Sequence, residues 1–479
     1  MKNKITEKWK RIPLTVKIST SYAVCSILQR CLSFFTVFLF TRIMSQEQYG
    51  QYTIYSSWSG IFVIFLTLNL AYGSFSTAMT KFEDRRDEYI ASVEGICLIL
   101  AAIFCVIYLP FRNLWNKLFE LPTPLILVMV LEALGLTAIQ LWSGKKRFEF
   151  KYKSVIVVTL LSSVIAPVLA LILVYNSEEK GYARIFGYAI TTIVFGGFLY
   201  IYNLVKGKKL YNKEFWKYAL GFNVPLLAYY LSQVIFNQSD RIMISHIVDT
   251  GKAAMYGVAY NLATILTFVL NAINNSYVPW YYGKLKENKQ QENKSVSCGI
   301  AVLMSLMLLC VIWFAPEIIT LMAGKSYYEA TWVVPPVAMS LLLLFYAQLF
   351  INVEFYFEEK KALVGASLAA AIINIVLNAL LIPRFGFVAA GYTTLVSYMI
   401  FAEENYRAMK KVLRQRGIAE SGYDMKNLLL IVAGFFAMSF LGLLLYDYLV
   451  WRIVITVVVF VIVLRYRNVL IQYIKQIRK

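Results

Sequence analysis

Apolar runs of about 20 residues or more recur along almost the whole of this 479-residue chain. A helix needs about 20 such residues to cross roughly 30 Å of hydrocarbon. We interpret about fourteen runs as transmembrane helices, because continuous hydrophobicity favours helices over the alternating pattern of barrel strands. The runs lie near residues 14–40, 53–79, 90–111, 124–143, 154–175, 183–204, 219–247, 254–282, 296–322, 331–357, 362–382, 387–406, 427–447 and 450–474. The predicted fold is an all-α, polytopic membrane protein.

Lysine and arginine give the chain a formal net charge of +20 and are concentrated in alternate loops. Of the 47 basic residues, 35 lie in the termini and in every second loop, 9 lie in the intervening loops, and Lys17, Arg30 and Arg241 lie within predicted spans. Basic residues concentrated in alternate loops are typical of a membrane protein whose cytoplasmic loops are positively charged. The net charge therefore does not predict a nucleic-acid partner. The positive-inside rule places both termini in the cytoplasm, which requires an even number of crossings.

Several classes of protein are disfavoured by what the sequence lacks. The six cysteines all fall within predicted spans without a CxxC pair, and there is one histidine, so no metal site and no cofactor are predicted. No predicted loop exceeds about 20 residues and no GxxxxGK[ST] motif occurs, which disfavours a soluble catalytic domain or an ATP-driven pump. The sequence therefore predicts a protein that is not an enzyme.

One motif occurs twice, in FTRIMSQEQYGQYTIYSSW (residues 40–58) and in SDRIMISHIVDTGKAAMYGVAYNLA (residues 239–263). Both copies run outward and then inward by the charge count, which indicates parallel repeats of six helices each, although short matches also arise by chance in hydrophobic chains. When the two copies of the motif are aligned, Arg42 matches Arg241, and Tyr49-Gly50 matches Tyr256-Gly257. The predicted domains are an N-lobe (1–217), a C-lobe (218–415) and an appended helix pair (416–479).

Four stretches resemble the polysaccharide transporter family, the lipid-linked oligosaccharide flippases of O-antigen and capsule assembly in the multidrug/oligosaccharidyl-lipid/polysaccharide exporter superfamily. They are RIMSQEQYGQYTIYSSW, FEFKYKSV, YALGFNVPLLAYYLSQVIFNQSDRIMI and IPRFGFVAAGYTT, and the QSDRIMI block is the most specific. The resemblance implies a flippase that moves an undecaprenyl-pyrophosphate-linked oligosaccharide repeat unit across the bacterial inner membrane by alternating access. It also implies membrane lipid and glycan-assembly proteins such as a polymerase as partners, and it leaves a coupling ion open.

Polar residues of the first span recur on one helix face. They are Tyr22, Ser26, Gln29, Ser33 and Thr36, with Arg30 beside them. An arginine at the centre of a span costs about 2.5–3.5 kcal/mol and normally faces the bundle interior. Because a pyrophosphate needs a cationic wall, we predict that Arg30, Gln29, Ser26 and Ser33 bind substrate. Pairing of Arg30 with Glu132 or another acid, and helix–helix hydrogen bonding by the neutral residues, remain alternatives.

The seventh span carries a second polar stripe, for which the same role is predicted. It consists of Asn223, Tyr230, Gln233 and Asn237 and ends at Arg241. Asp240 and Arg241 lie near the predicted outer end, where either a gating latch or a static ion pair fits their charges.

Glu132 is the acid nearest the centre of a span and is the predicted coupling residue, with pairing to an arginine as the main alternative. Two other functions remain open. A cation-coupled drug or metabolite antiporter of the same superfamily would need a deeper acidic site. A membrane glycan polymerase or ligase would need a large outer loop with paired catalytic residues.

Overall fold

A computed structural model describes residues 14–357, 359–418 and 420–465. These residues form helices and no strand, which confirms the all-α prediction. Residues 1–13 and 466–479, on which the cytoplasmic placement of the termini depends, lie outside the described residues. The chain divides into two compact units, Met1–Gln238 and Ser239–Lys479.

From residue 14 onward, where the structure is described, the first unit contains nine helices and the start of a tenth. They are α1 (Leu14–Ile43), α2 (Gln46–Thr67), α3 (Phe75–Lys81), α4 (Arg86–Tyr108), α5 (Arg112–Phe119), α6 (Thr123–Phe148), α7 (Tyr152–Tyr175), α8 (Lys180–Gly207), α9 (Lys213–Asn223) and α10 (Leu227–Ile247). The division between the units falls within α10, whereas the predicted boundary lies at residues 217/218. Helix α9 belongs to the first unit because it packs on α4.

The second unit continues with the remaining helices in the described residues. They are α11 (Thr250–Ala263), α12 (Thr267–Lys286), α13 (Asn293–Trp313), α14 (Ala315–Ala323), α15 (Val334–Tyr356), α16 (Lys360–Phe385), α17 (Ala389–Gln415), α18 (Met425–Leu444) and α19 (Leu449–Arg465). The helix pair α18 and α19, predicted as an addition to the repeats, packs through α18 against α13.

The two units repeat one order of elements. In each, a long helix is followed by a short one and then by another long helix: α4, α5 and α6 in the first unit and α13, α14 and α15 in the second. The most extensive helix contacts also correspond, because α6 packs on α8 as α15 packs on α17. The common order is what the repeated sequence motif predicts.

The repeated motif begins its second helix with an N-cap in both copies. The Ser45 side chain accepts a hydrogen bond from the Gln48 amide, and the Gln48 side chain accepts one from the Ser45 amide. In the second copy the Asp249 carboxylate accepts from the Lys252 amide. These side chains satisfy amides that a helix start leaves unpaired, so the turn between the helices is fixed locally by sequence.

Eleven helical stretches in the described residues are long and apolar enough to cross a membrane. The other three predicted spans coincide with α2, with α17 and with α19, of which α19 has a shorter apolar stretch, Leu449–Val461. A multi-pass membrane protein follows from this composition, and the number fourteen stays a prediction.

The predicted span 53–79 is wrong in its second half. Helix α2 ends at Thr67 because Leu68 and Asn69 adopt left-handed conformations with φ of 48° and 53°, and turns precede the short helix α3. Asparagine tolerates this conformation better than most residues. Apolar composition alone did not signal the break.

The predicted span 219–247 contains an interruption. The segment Val224–Leu226 forms a 3-10 turn between α9 and α10, at the position of Pro225. Proline lacks the amide that would continue an α-helix, so the chain tightens there. A second 3-10 turn, Thr264–Leu266, separates α11 from α12 without a proline.

Helices α6 and α8 approach each other closely at two glycines. A Cβ atom built on Gly196 would lie 2.3 Å from the Cα atom of Gly135, closer than atoms can pack. The adjacent Gly197 has nothing within 4 Å of such a Cβ atom. Small residues therefore set the distance between these helices, as is common in membranes.

We expect Gly196→Ala to lower the free energy of unfolding by about 1–3 kcal/mol, because the added methyl must push the two backbones apart. Gly197→Ala is the matched control and should have little effect. The melting temperatures of the purified variants measure the difference. Equal stability of the two variants would contradict the close packing of α6 on α8.

Candidate functional site

Helix α1 exposes a polar sector and an apolar sector. Ser26, Arg30 and Ser33 are exposed and lie on one side of the helix at steps of four and three residues. Val24, Leu28, Cys31 and Phe35 are also exposed and share a different side. Exposing a charged and polar sector to lipid in the middle of an apolar span would be energetically unfavourable. We call Ser26, Arg30 and Ser33 the polar sector of α1.

Gln29 does not belong to this sector. Its side-chain amide donates a hydrogen bond of 3.0 Å to the hydroxyl of Ser163 on α7. Thr36, one more member of the predicted stripe, is buried and donates to the carbonyl of Ser33. The alternative of helix–helix hydrogen bonding therefore applies to Gln29, while Ser26 and Ser33 stay open.

Arg30 and Glu132 do not pair with each other. The Glu132 carboxylate accepts a hydrogen bond of 2.7 Å from the Tyr55 phenol. Arg30 forms no ion pair with any residue that the structure describes. An arginine in an apolar span without an acid partner keeps its positive charge available for a ligand. A coupling role for Glu132 stays a prediction.

A second cation lies near the same side of α1, and sequence reasoning missed it. The guanidinium of Arg147, at the end of α6, lies over the Tyr22 ring at 5.3 Å from its centroid. Tyr22 precedes Arg30 by about two helical turns. Both residues were visible in the sequence, but their proximity depends on how α6 packs beside α1.

Three other cations of the GKKRFEFKYK segment pair with Glu149, and one of them, Lys145, also pairs with Asp87. The Glu149 carboxylate lies 3.3 Å from both Lys145 and Lys146 and 3.0 Å from Lys151. Burial would raise the pKa of Glu149, but the hydrogen bond to Lys151 and the charges of the other two lysines lower it to about 2. This pairing stabilises the fold above about pH 4.5 and is lost as the pH falls through about 2. Arg147 is not part of it.

The polar stripe predicted for residues 219–247 is divided by the break at Pro225. Asn223 is completely buried and donates to the Ser74 hydroxyl at 2.7 Å, so it holds elements of the first unit together and does not face an open surface. Tyr230 is also buried, with its ring 6.4 Å from that of Tyr72. The prediction of a continuous substrate-facing stripe fails here, because tertiary packing uses these polar groups.

The remaining members of that stripe lie on α10. Gln233 and Asn237 are half-buried, and the Asn237 amide donates to the Gln233 carbonyl at 2.7 Å. Their role in substrate binding stays a prediction.

Asp240 lies in a buried polar network of the second unit. Its carboxylate accepts hydrogen bonds from the Tyr256 phenol, from the Asn378 amide at 2.6 Å and from the Thr394 hydroxyl at 2.8 Å. Asn374 extends the network, since it accepts from Asn378 and from Ser239 at 3.2 Å. Three donors satisfy a buried carboxylate without requiring an arginine.

The Arg241 side chain contacts an aromatic ring. Its guanidinium lies over the ring of Tyr260 at 4.6 Å, and the side chain is 9% exposed. Successive residues on a helix face directions about 100° apart, which explains the different surroundings of Asp240 and Arg241. Tyr256, Asn378 and Thr394, which donate to Asp240, all belong to its own unit, and this favours a structural role over a latch.

Several arginine side chains of this protein lie over aromatic rings. Arg42, the counterpart of Arg241 in the repeat, lies 3.7 Å from the centroid of Phe38. Arg184 is almost completely buried on α8, lies 3.8 Å from the centroid of Tyr52, and has no hydrogen-bond partner for Nε or Nη1 in the described residues. Cation–π contacts can stabilise a guanidinium where no acid is present. The sequence feature that could have indicated these contacts is the high content of aromatic residues, which make up 16% of the chain.

We expect the charge-swapped chain with Asp240→Arg and Arg241→Asp to be less stable by at least about 3 kcal/mol, because an arginine cannot accept the three hydrogen bonds. Asp240→Asn should be milder, since its amide oxygen still accepts. Thermal unfolding in detergent distinguishes the variants. A swapped chain as stable as the wild type would instead indicate that ion pairing is sufficient at this position.

Comparison with known proteins identifies related sequences. The sequence profile of the family described as Polysaccharide biosynthesis protein matches residues 16–282. A protein of the Lsg locus of Haemophilus influenzae is 24% identical over 213 residues, covering 43% of this chain and 53% of that protein. The chain thus matches about half the length of that relative. A membrane protein of the same organism is 22% identical over 358 residues, covering 71% of this chain and 78% of its own length.

Solved structures share the fold. The lipid II flippase MurJ superposes with a TM-score of 0.66 at 15% identity, covering 93% of this chain and 99% of the MurJ chain. A multidrug resistance MATE family transporter of the MOP superfamily also gives a TM-score of 0.66, at 13% identity, covering 82% of this chain and 96% of that transporter. Identities this low show a common fold and do not transfer a substrate.

Proposed function

The chain belongs to the Polysaccharide biosynthesis protein family, and from that premise we propose that it is a flippase for an undecaprenyl-pyrophosphate-linked oligosaccharide. The lipid-linked repeat unit would move from the inner to the outer leaflet of the bacterial inner membrane by alternating access. It would then serve O-antigen, capsule or exopolysaccharide assembly. The observation that carries the proposal is the exposed polar sector of α1, with Arg30 at its centre.

The head group of such a lipid poses two physical problems in hydrocarbon. Its pyrophosphate is charged, and its sugar hydroxyls lose their hydrogen bonds to water. Arg30 offers a guanidinium that can donate two parallel hydrogen bonds to phosphate oxygens, and Ser26 and Ser33 offer hydroxyls on either side. The prenyl tail needs no such site, because it is as apolar as the lipid around it.

Arg147 adds a second cation beside the polar sector, nearer the end of α1 that is predicted to be cytoplasmic. Its guanidinium lies 5.3 Å from the centroid of the Tyr22 ring, which puts a second positive charge beside the polar sector of α1. A pyrophosphate could then be passed from Arg147 to Arg30 over about two helical turns of α1. Three of the other loop cations interact with Glu149 and are less available to the cargo.

The membrane potential favours the proposed direction. An anion that moves outward across an inside-negative potential gains about 2.3 kcal/mol per charge per 100 mV. Consumption of the product by a polymerase on the outer side would also pull the reaction forward. No covalent step on the substrate is needed.

The antiporter alternative is less well supported by the acids in the described spans. A cation-coupled antiporter needs a carboxylate that an incoming cation can reach. The Asp240 oxygens accept three hydrogen bonds inside a packed network, and Glu132 accepts one from Tyr55. Glu94 accepts one from Asn203, and Glu354 has no hydrogen-bond partner in the described residues but is only 1% exposed. The available charge on α1 is positive, which suits an anionic cargo.

We expect Arg30→Ala to reduce flipping of an undecaprenyl-pyrophosphate-linked sugar by about tenfold or more, since charge-assisted hydrogen bonds to phosphate are lost. Arg30→Lys should retain part of the activity, because it keeps the charge without the bidentate geometry. The assay measures translocation of a defined lipid-linked sugar in liposomes.

Arg42→Ala is the matched control for this experiment. Arg42 is an exposed arginine of the same helix that lies over Phe38, twelve residues beyond Arg30. Its loss should leave flipping near the wild-type rate. Wild-type activity in Arg30→Ala, or equal losses in Arg30→Ala and Arg42→Ala, would remove Arg30 from the proposed site.

A further inference from the structure

An open pocket of about 610 Å³ lies in the second unit, at the end of α17. Three of its eight lining residues are basic, namely Lys410, Lys411 and Arg414, and none is acidic. Tyr406 and Ser421 add a phenol ring and a hydroxyl. The volume falls in the ordinary range for small-ligand sites, and the lining chemistry fits an anion.

The pocket follows from how α17 ends. Gly417 adopts φ of +70°, the Ile418 amide donates to the Leu413 carbonyl at 3.0 Å, and the Gly417 amide donates to the Arg414 carbonyl at 3.2 Å. This Schellman-type ending satisfies terminal carbonyls and turns the chain back beside the helix. Covering those carbonyls also reduces the negative potential that a bare helix end would present to an anion.

The opposite wall is held in place by buried hydrogen bonds. The Tyr423 phenol donates to the Leu349 carbonyl at 2.7 Å, and the Tyr281 phenol donates to the Ser421 carbonyl at 3.2 Å. Gly422 adopts φ of +73°, and a Cβ atom there would lie 2.4 Å from the Gln290 carbonyl oxygen. The wall that carries Ser421 is therefore built into the fold.

The three cations of the pocket have no acid partner in the described part of the chain. The neighbouring Arg407 differs, because it pairs with Glu403 at 2.8 Å and with Glu404 at 3.2 Å. The Lys410 ammonium lies 5.5 Å from the centroid of the Tyr406 ring, a contact that leaves its protons available. Unpaired basic residues arranged around a concavity attract a phosphate more strongly than the same residues spread over a surface.

Three acids of the second unit either interact with other residues or are buried. Glu420 interacts with Lys294 at 3.0 Å and with Gln291. Glu359 lies 4.0 Å from Arg416. Glu354 is buried at 1% exposure, with neither carboxylate oxygen hydrogen bonded in the described residues. None of the three lines the pocket.

From this arrangement we propose that the pocket binds the phosphate of a phosphate-bearing ligand, with a membrane phospholipid headgroup as the favoured source. The span predicted for α17 ends at residue 406, so Tyr406 lies at the level where tyrosines meet headgroups. Basic residues directly beyond a transmembrane helix are suited to anionic lipids. The site is separate from α1 and does not depend on the proposed cargo.

Binding to the full-length chain in detergent tests the proposal. Native mass spectrometry compares adducts of phosphatidylglycerol with those of phosphatidylcholine, and a competition arm adds inorganic pyrophosphate. The wild type should prefer phosphatidylglycerol. The double variant Lys410→Ala with Arg414→Ala should bind it about tenfold more weakly.

The matched control removes two exposed cations that do not line the pocket, by Lys286→Ala with Lys426→Ala, and should bind like the wild type. Lys411→Glu gives a second variant at an exposed position, and it should also weaken binding. Melting temperatures without ligand establish that each variant is folded.

Displacement of the lipid by pyrophosphate supports a phosphate site that the lipid occupies. Binding of pyrophosphate without any binding of phosphatidylglycerol assigns the site to a soluble source. Unchanged binding by both pocket variants, or no preference of the wild type for either net-anionic ligand over zwitterionic phosphatidylcholine, overturns the proposal. Arg30→Ala should keep the pocket intact, so failure of the flippase proposal is distinguishable from failure of this one.

Discussion

The cost of placing a charge in hydrocarbon organises the polar chemistry of this protein. Most of the buried ionisable side chains described above have a partner that replaces water, although Glu354 has none in the described residues. Asp240 receives three hydrogen bonds, Glu132 receives one from Tyr55, and the Arg184 guanidinium lies among aromatic rings. Arg30 differs, because it lies on an exposed polar sector without an acid partner in the described residues. This exposed positive charge is what makes α1 the candidate path for the cargo.

The two units share an order of helices but not a polar chemistry. In the first unit, the buried cation Arg184 has aromatic surroundings. In the second unit, the buried carboxylate of Asp240 accepts hydrogen bonds from Asn378 and Thr394. A duplication supplies two similar scaffolds, and the polar residues on each can then diverge. Packing positions such as Gly135 and Gly196 are constrained by close approach and leave less freedom.

The fold class could be predicted from the sequence because the length of each apolar run identifies a membrane-spanning helix without reference to the rest of the chain. Helical spacing also placed Ser26, Arg30 and Ser33 on one side of α1, but Gln29, which was predicted with them, contacts Ser163, and the binding role of the group stays a prediction. Sequence reasoning did not find Asn378 or Thr394 as partners of Asp240, nor Arg147 beside Tyr22, because these pairs are more than 120 residues apart and meet through tertiary packing. Asn223 shows the converse error, in which a correctly spaced polar residue is used to hold helices together.

The central claim is that the polar sector of α1 faces water while the apolar sector faces lipid. Single cysteines at Ser33 and at Leu28, in a chain whose own cysteines are replaced by alanine, test it most directly. In vesicles open to a membrane-impermeant maleimide from both sides, the account predicts rapid labelling of Ser33→Cys and little labelling of Leu28→Cys. Equal labelling of the two positions, or protection of Ser33→Cys, would contradict it.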